Sequence, residues 1–172
     1  MDDDAEAAYS RYAAQQWSRL VRAAVFLGAR PHEAEDLAQT TLVRCYAGWA
    51  RVTNADNRDA YVYRMLLNCL RDQRRTRWWR GRVDVPTDVL AAERVEDTSE
   101  AVAVADAVHR ALAGLTKPNR DVVVLRYFVQ LNEAQTAAAL GISAGTVKSR
   151  LSRSLARLAA DRHLLDLTGE NR

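Results

Sequence analysis

The sequence has few of the residues that mark disulfide-rich, metal-binding or membrane proteins. Its 172 residues include two cysteines, Cys45 and Cys69, with no CxxC pair and no histidine near either of them. A disulfide framework or a zinc site would need more ligands at closer spacing. No apolar run approaches the roughly 18 residues that cross a bilayer, and the N-terminus MDDDAEAAYS is acidic where a signal peptide is basic and then apolar. We therefore expect a cytoplasmic protein with no metal and no membrane insertion.

Glycine and proline are also scarce, with 7 and 3 residues. The sequence contains no glycine-rich loop that could hold a phosphate and no nucleophile with a base close by. Its three histidines, His32, His109 and His163, are far apart. These absences argue against an enzyme and against a bound cofactor. Because carboxylates that are scattered in sequence can converge in a fold, an enzyme acting on nucleic acid stays an alternative.

Charge is abundant but unevenly distributed. The net charge is only +3, at a pI of about 9.1. Residues 1–82 carry 14 basic and 10 acidic side chains, residues 83–100 carry 1 and 6, and residues 101–172 carry 10 and 6. Two basic segments therefore flank an acidic one. This pattern is consistent with a polyanionic partner, although helix surfaces also carry such charge for solubility.

Apolar residues recur at spacings of three and four through most of the chain, which predicts helices and gives no convincing strand. The polar run 50–59 is typical of a loop, and the acidic segment 83–100 is typical of a linker with at most a short turn at 90–94. We expect an all-α protein of two small helical domains joined by an acidic linker. Helices are predicted over 5–28, from Pro31, over 59–79 and 101–115, from Lys117 through Phe128, from Asn132, and from Ser143.

The first two predicted helices have a clear apolar side. In the first helix, Trp17 is among the residues expected to face the core. The second helix leaves an acidic and polar group on or near its outer side: Glu35, Asp36, Gln39 and Val43. Acidic residues in a first turn also complement the helix dipole, so helix stabilisation explains them as well as a partner surface does. The inward side is expected to consist of Ala34, Leu37, Thr41, Cys45 and Trp49.

The third predicted helix has a basic face. Arg64, Asn68, Arg71 and Arg75 follow one another at i, i+4, i+7 and i+11, away from an apolar side that includes Tyr63 and Leu66. The run RDQRRTRWWRGR then interleaves arginines with two tryptophans, a mixture that suits phosphates and unstacked bases. Two adjacent tryptophans could equally pack in a core.

The stretch LNEAQTAAALGISAGTVKSRLSRSLARLAA predicts a helix-turn-helix. Asn132 and Gln135 are spaced as a capping box, Gly141 ends the first helix, and Ser143 is an N-cap candidate for the second. The second helix carries an apolar stripe of Val147, Leu151, Leu155 and Leu158. Its opposite side exposes Lys148, Ser149, Ser152 and Arg153. This arrangement places a helix in a DNA major groove, although an ordinary helical hairpin with a solvated face remains the alternative.

Together these segments resemble a known family. The span ALAGLTKPNRDVVVLRYFVQLNEAQTAAALGISAGTVKSRLSRSLARL is similar to the promoter-binding domain of bacterial sigma factors of the extracytoplasmic-function (ECF) group. HEAEDLAQTTLVRCYAGW and AYVYRMLLNCLRDQRR are similar to their N-terminal domain. The resemblance implies a region 2 domain at 1–82, a linker at 83–100, a region 4 domain at 101–165 and a tail at 166–172. It also implies a non-catalytic initiation factor that directs RNA polymerase to promoters.

The resemblance assigns roles by position. The polymerase-binding helix holds Glu35, Asp36, Leu37 and Gln39. The minus-ten and strand-opening positions are Gly48, Val52, Arg64, Asn68, Arg71 and Arg75, with Asn68 at the position that holds a flipped base. Lys148, Ser149, Ser152 and Arg153 match the minus-thirty-five contacts. The implied partners are core RNA polymerase, through its beta-prime clamp and beta flap, and promoter DNA, with an anti-sigma factor as a further candidate.

Two residues depart from the family pattern. Thr40 stands where an acidic residue often follows the glutamine, and Thr136 stands where isoleucine or leucine is usual. The first would weaken or retune clamp binding. The second replaces a buried apolar group with a hydroxyl, which costs about 1 kcal/mol if it is left unpaired. A helix-turn-helix regulator that binds duplex DNA without polymerase remains the other alternative, and it would not need the acidic helix at Glu35.

Overall fold

The computed structural model of the chain describes residues 3–79, 99–161 and 164. Within these residues the structure is helical and contains no strand, which confirms the all-α prediction. Residues 83–98 of the predicted linker, which include the turn at 90–94, lie outside the described residues. His163 and the tail at 166–172 lie outside them as well. The elements are α1 (Asp3–Phe26), α2 (Pro31–Ala47), α3 (Trp49–Thr53), α4 (Arg58–Trp79), α5 (Ser99–Ala113), α6 (Lys117–Val123), a π-helical turn (Val124–Phe128), α7 (Glu133–Leu140) and α8 (Ala144–Ala159).

Helices α1, α2 and α4 pack on one another through the sides that their apolar spacing predicts. The inward residues expected for α2 are all buried, and so are Tyr63, Leu66, Leu67 and Leu70 of α4. In α1 the expected orientation is wrong at one position. Trp17 is 39% exposed, and Gln16 is buried instead. Tyr12, Gln16 and Leu20 follow one another at i+4, so the core lies on that line and the next residue along the chain points away from it.

Helix α3 occupies part of the segment 50–59, which we expected to be a loop. Trp49 and Val52, three residues apart, are both buried, so even this short helix has a core side. Gly48 connects α2 to α3, and its N–H donates to the carbonyls of Arg44 and Cys45 at 3.1 and 3.2 Å. After the turn at 54–57, Asn57 Oδ1 accepts from the N–H of Ala60 at 2.7 Å and caps α4.

The predicted helix from Lys117 through Phe128 is two elements, α6 and the π-helical turn. Four consecutive residues, Val122 to Leu125, are buried. Successive residues on a helix point in different directions, so this segment must be covered on more than one side. Val122 packs with Ala137 and Val147, while Val123, Val124 and Leu125 belong to the larger core.

The two halves of the described chain share one apolar core. Residues of α1, α2 and α4 lie in the same cluster as Leu112, Leu115 and Ala139. Helix α4 contacts α7, and the rings of Phe26 and Phe128 lie 4.3 Å apart between centroids. Arg74 of α4 also donates to the carbonyls of Leu27 and Gly28, at 3.0 and 3.2 Å. The two predicted domains therefore pack directly against each other in this structure.

Candidate nucleic-acid interface

The turn between α7 and α8 has the geometry that its sequence predicts. Asn132 Oδ1 accepts from the N–H of Gln135 at 2.9 Å, and Gln135 Oε1 accepts from the N–H of Asn132 at 2.8 Å, which confirms the capping box. Gly141 ends α7 in the left-handed conformation, with φ of 67°, which an L side chain rarely adopts. Ser143 Oγ then accepts from the N–H of Thr146 at 3.2 Å and starts α8. These local contacts set the angle at which α8 leaves the turn.

Helix α8 is anchored by one side. Val147 is 0% exposed, and so is Ser154, whose Oγ donates to the carbonyl of Arg150 at 2.7 Å. Our prediction that Leu155 belongs to the buried stripe is wrong, since this side chain is 39% exposed. The positions Val147, Leu151, Ser154 and Leu158 follow the helical period of 3.6, and a buried serine can satisfy its hydroxyl within the helix.

The opposite side of α8 carries the residues expected to contact the upstream element. Lys148, Ser149, Ser152 and Arg153 are all exposed, and α8 contains no acidic residue. Arg153 Nε donates to the carbonyl of Ser149 at 3.2 Å. This bond uses the Nε–H group and leaves the edge formed by the two Nη atoms for a partner. The surface is therefore basic and exposed.

The basic face predicted on α4 is present. Arg64, Arg71 and Arg75 are exposed, and Asn68 between them is half-buried. Arg71 Nη1 donates to Asn68 Oδ1 at 3.2 Å, so the asparagine presents its NH₂ group to any further partner. Asp72 lies 3.6 Å from Arg75 and partly neutralises that end of the face. The side chains of Trp78 and Trp79, expected to add stacking surfaces here, lie outside the described residues.

The two remaining minus-ten candidates are placed differently from each other. Gly48 is half-buried at the junction of α2 and α3. Val52 is 1% exposed and packs in the core, so its side chain is not part of the exposed basic face, and its assignment to the minus-ten positions stays a prediction. Its i+3 relation to Trp49 turns it inward as soon as the segment becomes helical.

Beside the basic face of α4 lies a groove of about 540 Å³, which the sequence did not reveal. We call it the Arg64 groove. It is lined by Arg51, by the turn at 54–57, by Ala60, Tyr61 and Arg64 of α4, and by Ala138 of α7. The signal that could have found it is the Asn-rich turn directly before the basic helix. The groove adds amide and guanidinium groups to the positions already assigned to an opened strand.

The outer side of α2 forms a separate surface. Glu35, Asp36 and Gln39 are exposed as expected, and the exposed fractions of Val43 and Tyr46 are 60% and 45%. Leu37 is 3% exposed and belongs to the core, and its assignment to the polymerase-binding helix stays a prediction. An acidic patch that continues into exposed apolar side chains is typical of a protein-binding surface. We call these five exposed residues the α2 surface.

The cysteine side chains and the possible metal ligands are the groups that other chemistry would use in the part of the chain that the structure describes. Cys45 and Cys69 are free and buried, and burial followed by the proximity of Cys69 raises the pKa of the Cys45 thiol to about 11. A thiol with such a pKa is a poor nucleophile at neutral pH. In the same residues no group of three or more His, Cys, Asp or Glu side chains could hold a metal ion. None of the described helices combines the length and the apolarity that a bilayer crossing needs.

Comparison with known proteins identifies both halves. Residues 14–80 match the family described as Sigma-70 region 2, and residues 105–158 match Sigma-70, region 4. The chain is 44% identical over 139 residues to the RNA polymerase sigma-E factor of Streptomyces antibioticus, covering 80% of this chain and 74% of the relative. It is 32% identical over 148 residues to the ECF RNA polymerase sigma factor SigL of Mycobacterium tuberculosis, covering 84% and 81%.

Solved structures show the same fold. The sigma factor RpoE of Bartonella quintana, solved with the anti-sigma factor NepR, gives a TM-score of 0.75 at 23% identity, over 95% of this chain and 98% of that one. CnrH, solved with the cytosolic domain of CnrY, gives a TM-score of 0.65 at 26% identity, over 94% and 89%. The coverage shows that the similarity includes both helical halves.

The helix-turn-helix half matches region 4 and the other helical half matches region 2, and together they define a DNA-binding protein of the transcription machinery. The chain belongs to the sigma-70 family of RNA polymerase sigma factors, and within that family to the ECF group. Members of this group are polymerase subunits for promoter-specific initiation, and this chain is one of them.

Proposed function

We propose that this initiation factor divides its work among three surfaces: α8 reads the minus-thirty-five element, α4 holds the opened minus-ten strand, and the α2 surface binds the polymerase clamp. The observation that supports this division is that each surface is exposed and chemically different. Two are basic, and the third is acidic and apolar. A regulator that acted on duplex DNA alone would have no use for the second and third surfaces.

On α8 the two cationic side chains of the predicted contact set take different roles. Arg153 reads a base, because its planar fork matches the two acceptors of guanine in the major groove. Lys148 binds phosphate as a flexible point charge. Ser149 and Ser152 lie between them and contact the backbone or a base edge. Upstream recognition thus combines one sequence-specific contact with salt-dependent attraction.

On α4 the arginines and the asparagine also divide the work. Arg64, Arg71 and Arg75 attract the phosphates of the non-template strand, and Asn68 holds a base after it has left the stack. The bond from Arg71 to Asn68 Oδ1 supports this role, because it orients the amide before DNA arrives. Gly48, at the junction of α2 and α3, belongs to this site by its match to the family, and a Cβ atom there would meet the Arg44 carbonyl at 3.4 Å. Holding an unstacked base offsets an unstacking cost of a few kcal/mol.

On α2, Glu35, Asp36 and Gln39 bind the beta-prime clamp, with Val43 and Tyr46 supplying apolar contact area. The beta flap binds the C-terminal half.

The factor itself is not catalytic and acts in the cytoplasm. We extend the comparison with the RpoE and CnrH complexes to regulation: an anti-sigma factor holds this chain inactive until a signal releases it.

The direct test is transcription in vitro. Core RNA polymerase alone should not initiate at defined sites on genomic fragments, whereas core plus the full-length chain should give discrete start sites. The sequences upstream of these sites then give both promoter elements. Binding to duplex DNA without any effect on core polymerase would instead favour a regulator that works alone. Cleavage of the fragments in the presence of magnesium would favour an enzyme.

A further inference from the structure

The turn that follows α1 is a point where the two halves of the chain meet through charged side chains. Gly28 in this turn has φ of 92°, a left-handed conformation that an L side chain rarely adopts. A Cβ atom on Gly28 would lie 2.9 Å from Nη2 of Arg120, in α6, and 3.2 Å from Nη2 of Arg74, in α4. Glycine therefore lets one guanidinium group from each half approach the same point of the backbone.

Arg74 is bonded to the turn itself. Its Nη2 donates to the carbonyls of Leu27 and Gly28, at 3.0 and 3.2 Å. Along α4, Arg74 continues the line of Leu67 and Leu70, which are buried, so it leaves the helix on a different side from the exposed face of Arg64, Arg71 and Arg75. The charge of Arg74 thus lies at the contact between the halves.

Arg120 differs from Arg74, because its guanidinium makes no hydrogen bond and no ion pair among the described residues. Its Nε is enclosed without a partner, whereas its two Nη atoms keep some contact with solvent. Burial, followed by the charge of Arg74, lowers the pKa of Arg120, and Asp121 opposes this effect. A half-buried cation beside a second cation is unfavourable until an anion neutralises it.

The carboxylates that act on this region are bonded to other cations. Asp121 Oδ2 accepts from Lys117 at 2.6 Å, and Asp106 pairs with Arg110 at 2.5 Å. The positive charge also affects the half-buried His109 of α5. Burial lowers the pKa of His109, Asp106 opposes this, and Arg120 lowers it further. The described residues therefore supply Arg120 with charges that act on it but with no bonded counterion.

A phosphate group has the chemistry that two neighbouring guanidinium groups bind. Each guanidinium presents its donors in a planar fork that matches phosphate oxygens, and a phosphate monoester offers three acceptor oxygens and up to two negative charges. One such group can therefore accept from Arg74 and Arg120 at the same time. Because these residues belong to different halves, a ligand that holds both favours the packed arrangement of the halves over any arrangement that separates them.

We propose that Arg74 and Arg120 form a binding site at Gly28 for the phosphate group of a small molecule. We call it the Gly28 site. Its ligands are inorganic phosphate, pyrophosphate or phosphate esters, and its occupation strengthens the contact between the two halves. The site uses none of the residues assigned above to promoter DNA or to polymerase, so the inference does not rest on the proposed function.

The first test measures binding of pyrophosphate to the full-length chain by isothermal titration calorimetry, at an ionic strength held constant with sodium chloride. Wild type should bind, and Arg120→Gln should weaken binding by at least about tenfold, because it removes a charged pair of donors. Arg120→Lys keeps the charge but loses the fork, so its affinity should lie between the other two.

Thermal unfolding supplies a second measurement. Each tenfold rise of pyrophosphate above its Kd should raise the wild-type midpoint by about 3–5 °C and leave that of Arg120→Gln unchanged. Without pyrophosphate, Arg120→Gln should be at least as stable as wild type, because the guanidinium makes no bond within the fold and its removal relieves the repulsion from Arg74.

Arg11→Gln is the matched control. Arg11 is exposed in α1 and lies fifteen residues before Phe26, the end of that helix, or about 22 Å along its axis. This variant should bind pyrophosphate and unfold like wild type. A single-stranded oligonucleotide without promoter sequence, at the same phosphate concentration, distinguishes a small molecule from a nucleic-acid backbone. It should bind wild type and Arg120→Gln equally.

Four results would overturn the inference. The first is no binding of pyrophosphate by wild type, and the second is equal binding by wild type, Arg11→Gln and Arg120→Gln, which would show a general charge effect only. The third is a loss in Arg120→Gln that is confined to the oligonucleotide, which would assign Arg120 to nucleic acid. The fourth is a lower stability of Arg120→Gln without pyrophosphate, because the guanidinium would then have a partner within the fold.

Discussion

Replacing Thr136 with valine should stabilise the protein. Thr136 is 0% exposed in α7, and its Oγ1 has no hydrogen-bond partner. Valine keeps the branched shape but has no hydroxyl, so the packing is retained while an unpaired buried polar group is removed. Such a group costs about 1–3 kcal/mol, and we expect the free energy of unfolding to rise by about 1 kcal/mol or more.

Thr41→Val provides the matched control. Thr41 is also 0% exposed, but its Oγ1 donates to the carbonyl of Leu37 at 2.7 Å. The same chemical change therefore removes a hydrogen bond that is made, and it should lower the free energy of unfolding by about 0.5–1.5 kcal/mol.

Urea unfolding followed by circular dichroism measures both variants. The midpoints should move in opposite directions with an unchanged dependence on urea, because neither substitution alters the surface exposed on unfolding. In thermal unfolding each kcal/mol corresponds to about 2–4 °C for a protein of this size. If Thr136→Val were no more stable than wild type, or if both variants shifted in the same direction, the assignment of an unpaired hydroxyl at Thr136 would be wrong.

Three further predictions test the proposed surfaces. Replacing both Asp36 and Gln39 with alanine should weaken binding to core polymerase in a pull-down titration and change stability by no more than about half a kcal/mol; unchanged core affinity would contradict the clamp assignment. Asn68→Ala should slow open-complex formation on duplex promoters and have little effect on duplex binding, and an equal defect in both would show that the amide has another role. Arg153→Ala should cost about 1–3 kcal/mol in DNA binding and relax preference at one base pair, whereas Lys148→Ala should weaken all sequences alike and reduce the salt slope by about one unit. A uniform loss for both variants would place α8 along the DNA backbone.

Local sequence signals predicted the caps and the helix faces well. The Asn132 and Gln135 pair and the left-handed Gly141 depend on interactions within a few residues, so they need no knowledge of the rest of the fold. The basic faces of α4 and α8 were also predictable, since charged residues at helical spacing stay exposed unless they are paired. The groups that these faces contact are still predictions.

Errors arose where two neighbouring residues competed for one buried position. Trp17 and Leu155 are apolar and lie beside Gln16 and Ser154, yet the polar residue is the buried one in each pair. Hydrophobicity alone cannot decide which of the two residues is buried, because tertiary packing sets how far each helix is rotated about its own axis. Leu37 was assigned both to the core and to the polymerase-binding helix; the structure buries its side chain, and the second assignment stays a prediction.

The common core of the two halves also affects the solubility of each half when the chain is cut into two fragments. Leu125 and Ala139 of the C-terminal half are buried in the same cluster as Leu20 and Leu66 of the N-terminal half. A protease cut between residues 79 and 99, followed by separation of the pieces, would leave part of this apolar surface in water on both fragments. We therefore expect each fragment to be less soluble than the intact chain, and co-expression of the two fragments to restore solubility.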